Sequence, residues 1–135
     1  MYGYKGFNKD FCCLGFQYEV GKTYELEGDL EICKNGFHFC TDPQEVLKYY
    51  PSWMPVVRGR YRTGNRYALI EAVGDIVNVD LSWSSKHATN KILIIKEVGF
   101  DQYLRICNEY CEKHGKNMTE IMEDMVNEAI CSLRK

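Results

Sequence analysis

The chain has 135 residues, of which 45% are hydrophobic and 27% are charged, and its formal net charge is −2. This composition is typical of one globular domain with its own core and excludes an intrinsically disordered chain. A weakly acidic protein does not coat nucleic acid over its whole surface, so we expect no general nucleic-acid binding. No window approaches the roughly 18 uninterrupted apolar residues that a membrane span needs, so no membrane partner is expected.

Cysteine usage and the N-terminal residues indicate a compartment. The seven cysteines are an odd number and form no small disulfide framework. The N-terminal residues include no apolar segment of the kind found in secretory signals. We therefore expect reduced cysteines and a cytoplasmic location.

Residues 1–98 predict an α+β fold, with a mainly antiparallel sheet of about five to seven strands and one short helix packed on it. Apolar residues alternate with polar ones over 16–20, and glycines near positions 21 and 28 mark reversals of the chain. The short helix is predicted over 42–50, with Thr41 as its N-cap and Pro51 just past its end.

The strands that complete this sheet follow an irregular stretch over 52–65. RYALIEAVGDIVNVDL predicts one or two strands, with Gly74 and Asp75 as the break. KILIIKEV, residues 91–98, is short, aliphatic and β-branched, which makes it the clearest strand in the chain.

The spacing of apolar residues becomes helical from Phe100 onward. Two stripes separated by Gly115 predict a C-terminal helical hairpin over 99–135, packed on the sheet domain of residues 1–98 or on another subunit. The second stripe, over 118–133, is rich in methionine, which suits adaptable interfaces, so we expect a homo-oligomer. The chain as a whole is expected to be one structural domain.

Two cysteines and a histidine lie on one side of the first of these helices. Cys107, Cys111 and His114 are spaced at i, i+4 and i+7, which places three soft ligands on one face. Zinc sites usually need a fourth ligand and closer cysteine pairs. Both cysteines also fall on the apolar stripe, where small buried residues belong. Packing is therefore favoured, and no metal or cofactor is predicted.

Another cysteine, Cys40, lies two residues after a histidine in KNGFHFCTDPQEVLKYYP, residues 34–51. Strand alternation places Phe37 and Phe39 together in the core and turns His38 and Cys40 toward a helix or solvent. A nucleophilic cysteine needs a histidine or a helix N-terminus to stabilise its thiolate, and Cys40 has both nearby in sequence. A structural histidine is nevertheless favoured, and no catalytic residue is predicted.

The segment 53–66 contains four arginines and no acidic residue, an asymmetry in an acidic chain. Its arginines at 58, 60 and 62 alternate, so an extended chain would direct them to one side, where their planar groups suit phosphate. Neighbouring aromatic rings can stack on a flat group such as a base. A second polar cluster between the last two predicted strands offers lysines, a histidine and an amide, which can cradle an anion.

The two clusters together define the predicted ligand-binding residues, with solvated surface as the plain alternative for both. The predicted residues are Trp53, Arg58, Arg60, Tyr61, Arg62, Arg66, Trp83, Lys86, His87, Asn90 and Lys91.

Four sequence blocks resemble, in their order, an uncharacterised family of small domains found in phages and prophages. The blocks are YKGFNKDFCCLGFQYEVGKTYE, CKNGFHFCTDPQEVLKYYP, YALIEAVGDIV and SSKHATNKILIIKEV, and they span roughly residues 2–98. That family has no established activity, so the resemblance implies no catalytic residue. It implies a phage-associated accessory protein in the cytoplasm of a bacterial host. The segment 53–66 is longer and more basic than the family pattern, so a function placed there would be particular to this chain.

Three functions follow from these patterns. Small phage proteins often antagonise bacterial defence, so we expect a protein that sequesters an anionic nucleotide-type signal molecule. The first alternative is a protein–protein inhibitor of a host defence protein or immune complex, for example a CRISPR-type complex. In that case the acidic residues over 19–31 would be as good a docking face as the arginines. The second alternative is a divergent ADP-ribosyltransferase-like enzyme, which rests on fold analogy alone and would use His38 with Glu71 or Glu97.

Overall fold

The computed structural model describes residues 1–28, 35–78, 85–118 and 123. Its elements are, in chain order, β1 (Tyr2–Phe7), β2 (Cys12–Cys13), β3 (Phe16–Gln17), β4 (Thr23–Glu25), β5 (Phe37–Cys40), α1 (Pro43–Tyr49), β6 (Trp53–Val56), β7 (Gly59–Arg62), β8 (Arg66–Ala72), β9 (Ile76–Asn78), β10 (Lys86–Thr89), β11 (Lys91–Val98) and α2 (Phe100–Lys113).

Seven of these strands form one sheet in the order β4-β11-β8-β1-β5-β10-β9. Every neighbouring pair in it is antiparallel. Two short hairpins, β2–β3 and β6–β7, lie outside this sheet. The predicted α+β class with a mainly antiparallel sheet is therefore confirmed.

The strands at the centre of the sheet form where the sequence patterns predict them. β11 matches the predicted 91–98 strand, and Ile92 and Ile94 are both fully buried on one of its faces. The predicted break between β8 and β9 is also confirmed. At Gly74 a Cβ atom would lie 2.0 Å from the side-chain oxygen of Asn90, so the chain reverses here through a residue without a side chain.

Both faces of the sheet are covered. On one face Phe37, Phe39 and Ile70 pack with rings from the segment 8–28 that crosses over them. On the other face α1 and α2 cover a second cluster, which includes Leu47 and Cys107. The prediction that Phe37 and Phe39 are core residues is confirmed, and Cys40 lies on the helix face as expected.

α2 is the first arm of the predicted C-terminal hairpin and is anchored by a buried tyrosine. The ring of Tyr103 stacks on Tyr67 with 4.5 Å between centroids, and its hydroxyl donates to the carbonyl of Pro43. Cys107 and Cys111 are buried, as their place on the apolar stripe predicted. Most of the second arm of the hairpin, and Asp29 and Glu31 of the acidic residues over 19–31, lie outside the described residues.

The predicted N-cap of α1 is wrong by one residue. Asp42, not Thr41, holds the N-cap position, and its side chain makes no capping hydrogen bond. Its carboxylate instead accepts hydrogen bonds from the Tyr110 hydroxyl at 2.5 Å and from the Lys116 amine at 3.0 Å. A contact between helices has thus replaced the local cap.

The expected strand over 16–20 is also shorter than its alternation indicates. Only Phe16 and Gln17 are in strand conformation, and Phe16 and Val20 are exposed while Tyr18 is buried. The Gln17 amide donates to backbone carbonyls at Asp10, at Phe11 and at Tyr18. These bonds hold the segment as a compact hairpin instead of a longer strand.

Candidate functional site

Residues 53–62 of the basic segment form a hairpin, so the expectation of an irregular stretch is wrong for most of it. β6 and β7 pair with Trp53 opposite Arg62 and Pro55 opposite Arg60. Arg58 lies in the turn between them, beside a fully exposed Val57. Arg58 is therefore not part of the strand alternation that was expected for the arginines at 58, 60 and 62, because a turn residue does not follow the two-residue period of a strand.

The arginines that follow in the chain are engaged by other elements. The guanidinium of Arg62 lies 5.2 Å from the ring centroid of Phe100, a cation–π contact at the start of α2. The guanidinium of Arg66 is ion-paired with Glu97 and lies 4.6 Å from the centroid of Phe11. Arg66 is thus part of the sheet structure, and the carboxylate of Glu97 is already occupied by it.

Most of the second predicted cluster lies in β10, in the turn after it and at the start of β11, so the segment expected to be a loop is largely a strand. His87 Nδ1 lies 2.7 Å from the Asn78 side-chain oxygen. The Asn90 side chain accepts a hydrogen bond from the backbone of Asp75 at 2.8 Å. Lys91 begins β11, opposite Glu25. Trp83 lies outside the described residues.

The predicted residue Lys86 differs from its neighbours because it lines a cavity. This cavity has a volume of about 530 Å³ and lies at the C-terminal end of α1, between β1, β5 and the tip of the β2–β3 hairpin. None of the other predicted binding residues that the structure describes contributes to its wall. The cavity is hereafter called the α1 cavity.

The α1 cavity arises where two neighbouring strands barely pair. β1 and β5 are in register at one residue pair, Tyr4 with Cys40. Beside it the amine of Lys5 donates to the carbonyl of His38 at 2.5 Å. A side-chain amine thus satisfies a strand carbonyl that would otherwise lack a partner.

The ring of Tyr50 forms one wall of the α1 cavity. A Cβ atom on Gly6 would lie 2.7 Å from this ring, so only glycine lets the ring approach the backbone of β1. The Tyr50 hydroxyl donates to the thiol of Cys13 at 3.1 Å. α1, β1 and the β2–β3 hairpin are joined at this point.

The α1 cavity is lined by three lysines. Lys5 is 3% exposed and lies at its floor, whereas Lys48 is exposed at the rim. The amine of Lys86 lies 4.2 Å from the ring centroid of Tyr49. In the described part of the chain no carboxylate lies within ion-pair distance of Lys5. Burial lowers the pKa of the Lys5 amine below its usual value.

The histidine and cysteine on this wall are not activated as a catalytic pair. Burial, with the nearby charges of Lys5 and Lys86, lowers the pKa of His38 to about 4, so its ring is neutral near pH 7. Burial and then Glu45 raise the pKa of the Cys40 thiol to about 12, so it stays protonated. A protonated thiol is a poor nucleophile.

A strained leucine lies at the rim of the α1 cavity. Leu14 is 85% exposed and has φ 51, the left-handed region that disfavours branched side chains. It forms the β2–β3 turn together with Gly15, which has φ 80. Strained backbone is concentrated at functional sites, where the side chain it places is needed.

Cys107, Cys111 and His114, which share one face of the predicted helix, lie in different environments. Cys107 and Cys111 are buried under α2, while the exposed ring of His114 stacks on Tyr110 with 4.0 Å between centroids. Among the residues that the structure describes, no three His, Cys, Asp or Glu side chains are grouped to hold a metal ion.

Lys5 and Cys13 were missed by the sequence patterns, whereas Tyr50 was expected only as one of the aromatic residues near the segment 53–66 that could stack on a flat group. One signal was present for Lys5, because strand alternation in YGYKGF places it on the same face as Phe7. A lysine on a buried face is rare and indicates a special environment. The contact between Cys13 and Tyr50 gave no comparable signal, since it joins segments that are far apart in the chain.

The fold is that of a small α+β domain with a lysine-lined cavity at the end of its first helix. The chain belongs to the family described as domain of unknown function DUF7666, whose model matches residues 1–106. The predicted membership of an uncharacterised family is confirmed, and the match extends into α2, so it includes the whole wall of the α1 cavity. No curated protein matches the chain. No helix in the described ranges is both long enough and apolar enough to cross a membrane.

Proposed function

We propose that this protein binds an anionic, nucleotide-type small molecule in the α1 cavity. The observation that supports this most directly is a cavity of about 530 Å³ that is lined by three lysines and several aromatic rings. Ligand cavities in proteins usually measure about 300–1,000 Å³, so a mononucleotide-sized compound fits.

The charges of the α1 cavity favour an anion. The amines of Lys48 and Lys86 at its rim can donate charge-assisted hydrogen bonds to phosphate oxygens. Lys5 adds a third amine at the floor, with no carboxylate of the described residues beside it. An anion in the cavity can therefore accept hydrogen bonds from all three amines.

The aromatic residues favour a flat group next to the phosphate. The ring of Tyr49 is 50% exposed and lies against the amine of Lys86. A base stacked on an exposed tyrosine, with its phosphate on the adjacent lysine, uses both contacts at once. Such stacking contributes about 1–3 kcal/mol for each base.

The biological setting belongs to the same proposal. The sequence blocks resemble phage and prophage domains, so a phage accessory protein that sequesters a defence signal in the host cytoplasm fits a binding cavity in which His38 and Cys40 are not activated as a catalytic pair. A homo-oligomer assembled through residues 118–133 remains part of this proposal.

A second candidate function is inhibition of a host defence protein through the β6–β7 hairpin. It is favoured by two exposed side chains of this hairpin. Val57 in the turn is fully exposed, and Tyr61 on β7, whose neighbours in the chain are arginines, is 53% exposed. Tyrosine and arginine are enriched among the residues that dominate binding energy at protein interfaces. We found no comparable observation in favour of an ADP-ribosyltransferase.

A thermal-shift screen of cyclic and linear nucleotides tests the first candidate. We expect one compound to raise the melting temperature at micromolar concentration, because a ligand at about 100 times its Kd adds about 2.7 kcal/mol of stability. Chromatography of the mixture should recover that compound intact, whereas an enzyme would consume it.

Paired variants locate the site. Tyr49→Ala and Lys86→Gln should each weaken binding about tenfold to a hundredfold, the loss expected for one stacking or charged contact. Tyr61→Ala is the matched control, since Tyr61 is as exposed as Tyr49 but lies on the hairpin. The double variant Arg60→Ala with Arg62→Ala should bind like the parent. Loss of binding in the arginine variant alone would move the site to the hairpin and refute the α1 cavity.

A further inference from the structure

Lys5 is placed as a reactive group would be. The residue is 3% exposed and lines the α1 cavity, and the two residues that its amine contacts by hydrogen bonds, His38 and Cys13, line the same cavity. The amine is fixed by its hydrogen bond to the His38 carbonyl and lies 5.2 Å from the ring centroid of Tyr18. Desolvated lysines beside other cations are the ones that proteins use as nucleophiles.

The groups around this amine favour its neutral form. Burial is the largest cause that lowers the pKa of the Lys5 amine, and the nearby cation Lys86 acts in the same direction with a smaller effect. The thiols of Cys13 and Cys40 act against this, but burial has the largest effect. The titratable side chains that surround the amine are those of Cys13, Tyr18, His38, Cys40, Tyr50 and Lys86.

We infer that the Lys5 amine forms a reversible imine with the carbonyl group of a small anionic aldehyde or ketone held in the α1 cavity. This inference rests on the proposed function, because the rim lysines that would bind a nucleotide phosphate are those that would hold the anionic group of the carbonyl compound. It adds a covalent step that binding alone does not require.

The chemistry balances without an oxidant or reductant. The nitrogen lone pair adds to the carbonyl carbon, and the carbonyl π electrons move to oxygen, which takes up a proton while the nitrogen loses one. The hydroxyl then takes up a second proton and leaves as water, while the nitrogen loses its remaining proton and the carbon–nitrogen double bond forms. The Cys13 thiol, which lies within hydrogen-bond reach of the amine and accepts from the Tyr50 hydroxyl, is placed to pass these protons.

Pyridoxal 5′-phosphate is a suitable probe, because it combines an aldehyde, a flat ring and a phosphate. The full-length protein is incubated with it at pH 7, reduced with borohydride, digested and mapped by mass spectrometry. We expect label at Lys5 at least about tenfold faster than at the exposed Lys96, because the neutral amine is the reactive form. Pyridoxal, which lacks the phosphate, should label Lys5 more slowly.

The outcomes separate this inference from the proposed function. Label distributed over the exposed lysines, with Lys5 unmodified until the protein is denatured, would overturn the imine even if nucleotides bind. Nucleotide that binds and protects Lys5 from label supports both proposals. Selective label at Lys5 without any effect of nucleotide supports the imine and opposes nucleotide binding. Lys5→Met should lose the label if it folds, and mapping the parent gives the answer if it does not.

Discussion

Arg66 and Glu97 form a two-pronged ion pair between neighbouring strands, with 2.8 Å from Nε to Oε2 and 2.5 Å from Nη2 to Oε1. Arg66 begins β8 and Glu97 lies near the end of β11. The sequence patterns predict a different role for each residue, phosphate binding for Arg66 and catalysis for Glu97 in the enzyme alternative. In the folded chain each is the partner of the other.

This pair predicts a small effect of Glu97→Gln. More than a third of each side chain is exposed, so solvent screens the attraction, and we expect a loss of about 0.2–1 kcal/mol in the free energy of unfolding. Urea unfolding at low and high salt measures it, and the difference between parent and variant should shrink at high salt. Nucleotide binding should be unchanged. If Glu97→Gln lost nucleotide binding, the Arg66–Glu97 pair would belong to the ligand-binding site.

The core predicts a large effect of Phe37→Ala without a change in binding. Phe37 is 7% exposed and packs edge-on against the rings of Phe16 and Tyr18, but it does not line the α1 cavity. Truncating a buried phenylalanine leaves a cavity, and the cost is about 3–5 kcal/mol. Val57→Ala at the exposed hairpin tip is the control and should stay within about 0.5 kcal/mol of the parent. Equal unfolding midpoints for the two variants would contradict this assignment of the core.

The fold was more predictable than the site because its signals are local. The β11 strand, the break at Gly74 and the burial of Phe37 each follow from the period of a few adjacent residues. The α1 cavity depends on contacts across the chain. Tyr50 meets Cys13 from 37 positions away, and Lys5 meets the His38 carbonyl from 33. The partner of Arg66 is likewise remote, so its charge looked unpaired in the sequence.

A substitution at Leu14 should stabilise the fold and weaken ligand binding. Leu14→Asn creates an Asn-Gly turn, the pair that best tolerates two positive φ angles in a hairpin. We expect a gain of about 0.5–1 kcal/mol, since the left-handed region is unfavourable for leucine. Ligand affinity should fall, because the apolar side chain at the rim of the α1 cavity is lost. Urea unfolding and ligand titration of the same sample measure both. A stabilised variant with unchanged affinity would show that the strain serves no ligand.

His38 predicts acid sensitivity over a defined range. Its pKa is about 4 in the folded protein, below the ordinary value of about 6.5. Between these values the unfolded chain binds a proton that the folded chain does not, so stability falls as the pH falls from about 6.5 to about 4. His38→Gln should flatten this part of the stability curve. Measurements at pH 8, where the ring is neutral in both states, are the reference for the effect of the substitution itself. If stability depended on pH equally in His38→Gln and the parent, the His38 ring would be exposed to solvent in the folded protein.

Tyr103 predicts that α2 is required for folding and is not an accessory. Its ring is fully buried against Tyr67, and its hydroxyl is a donor to the carbonyl of Pro43 in α1. Tyr103→Phe retains the ring but leaves that buried carbonyl without its donor, which costs about 1–3 kcal/mol. Arg105→Ala, on the exposed side of the same helix, is the matched control and should cost about 0.5 kcal/mol or less.

Removal of residues 100–135 extends the same argument to the whole helix. It would uncover Tyr67 and Val98, which α2 buries together with Cys40 and Leu47 on the helix face of the sheet. We therefore expect the shortened chain to lose its cooperative unfolding transition and to aggregate, because the apolar surface that α2 covers would face water. Circular dichroism during urea titration, with analytical ultracentrifugation, tests both points. A shortened chain that unfolds cooperatively as a monomer would show instead that the sheet and α1 form a complete domain. The contacts of Tyr103 would then belong to an added segment, and the tenfold to hundredfold losses expected at the α1 cavity should be reproduced in the shortened chain.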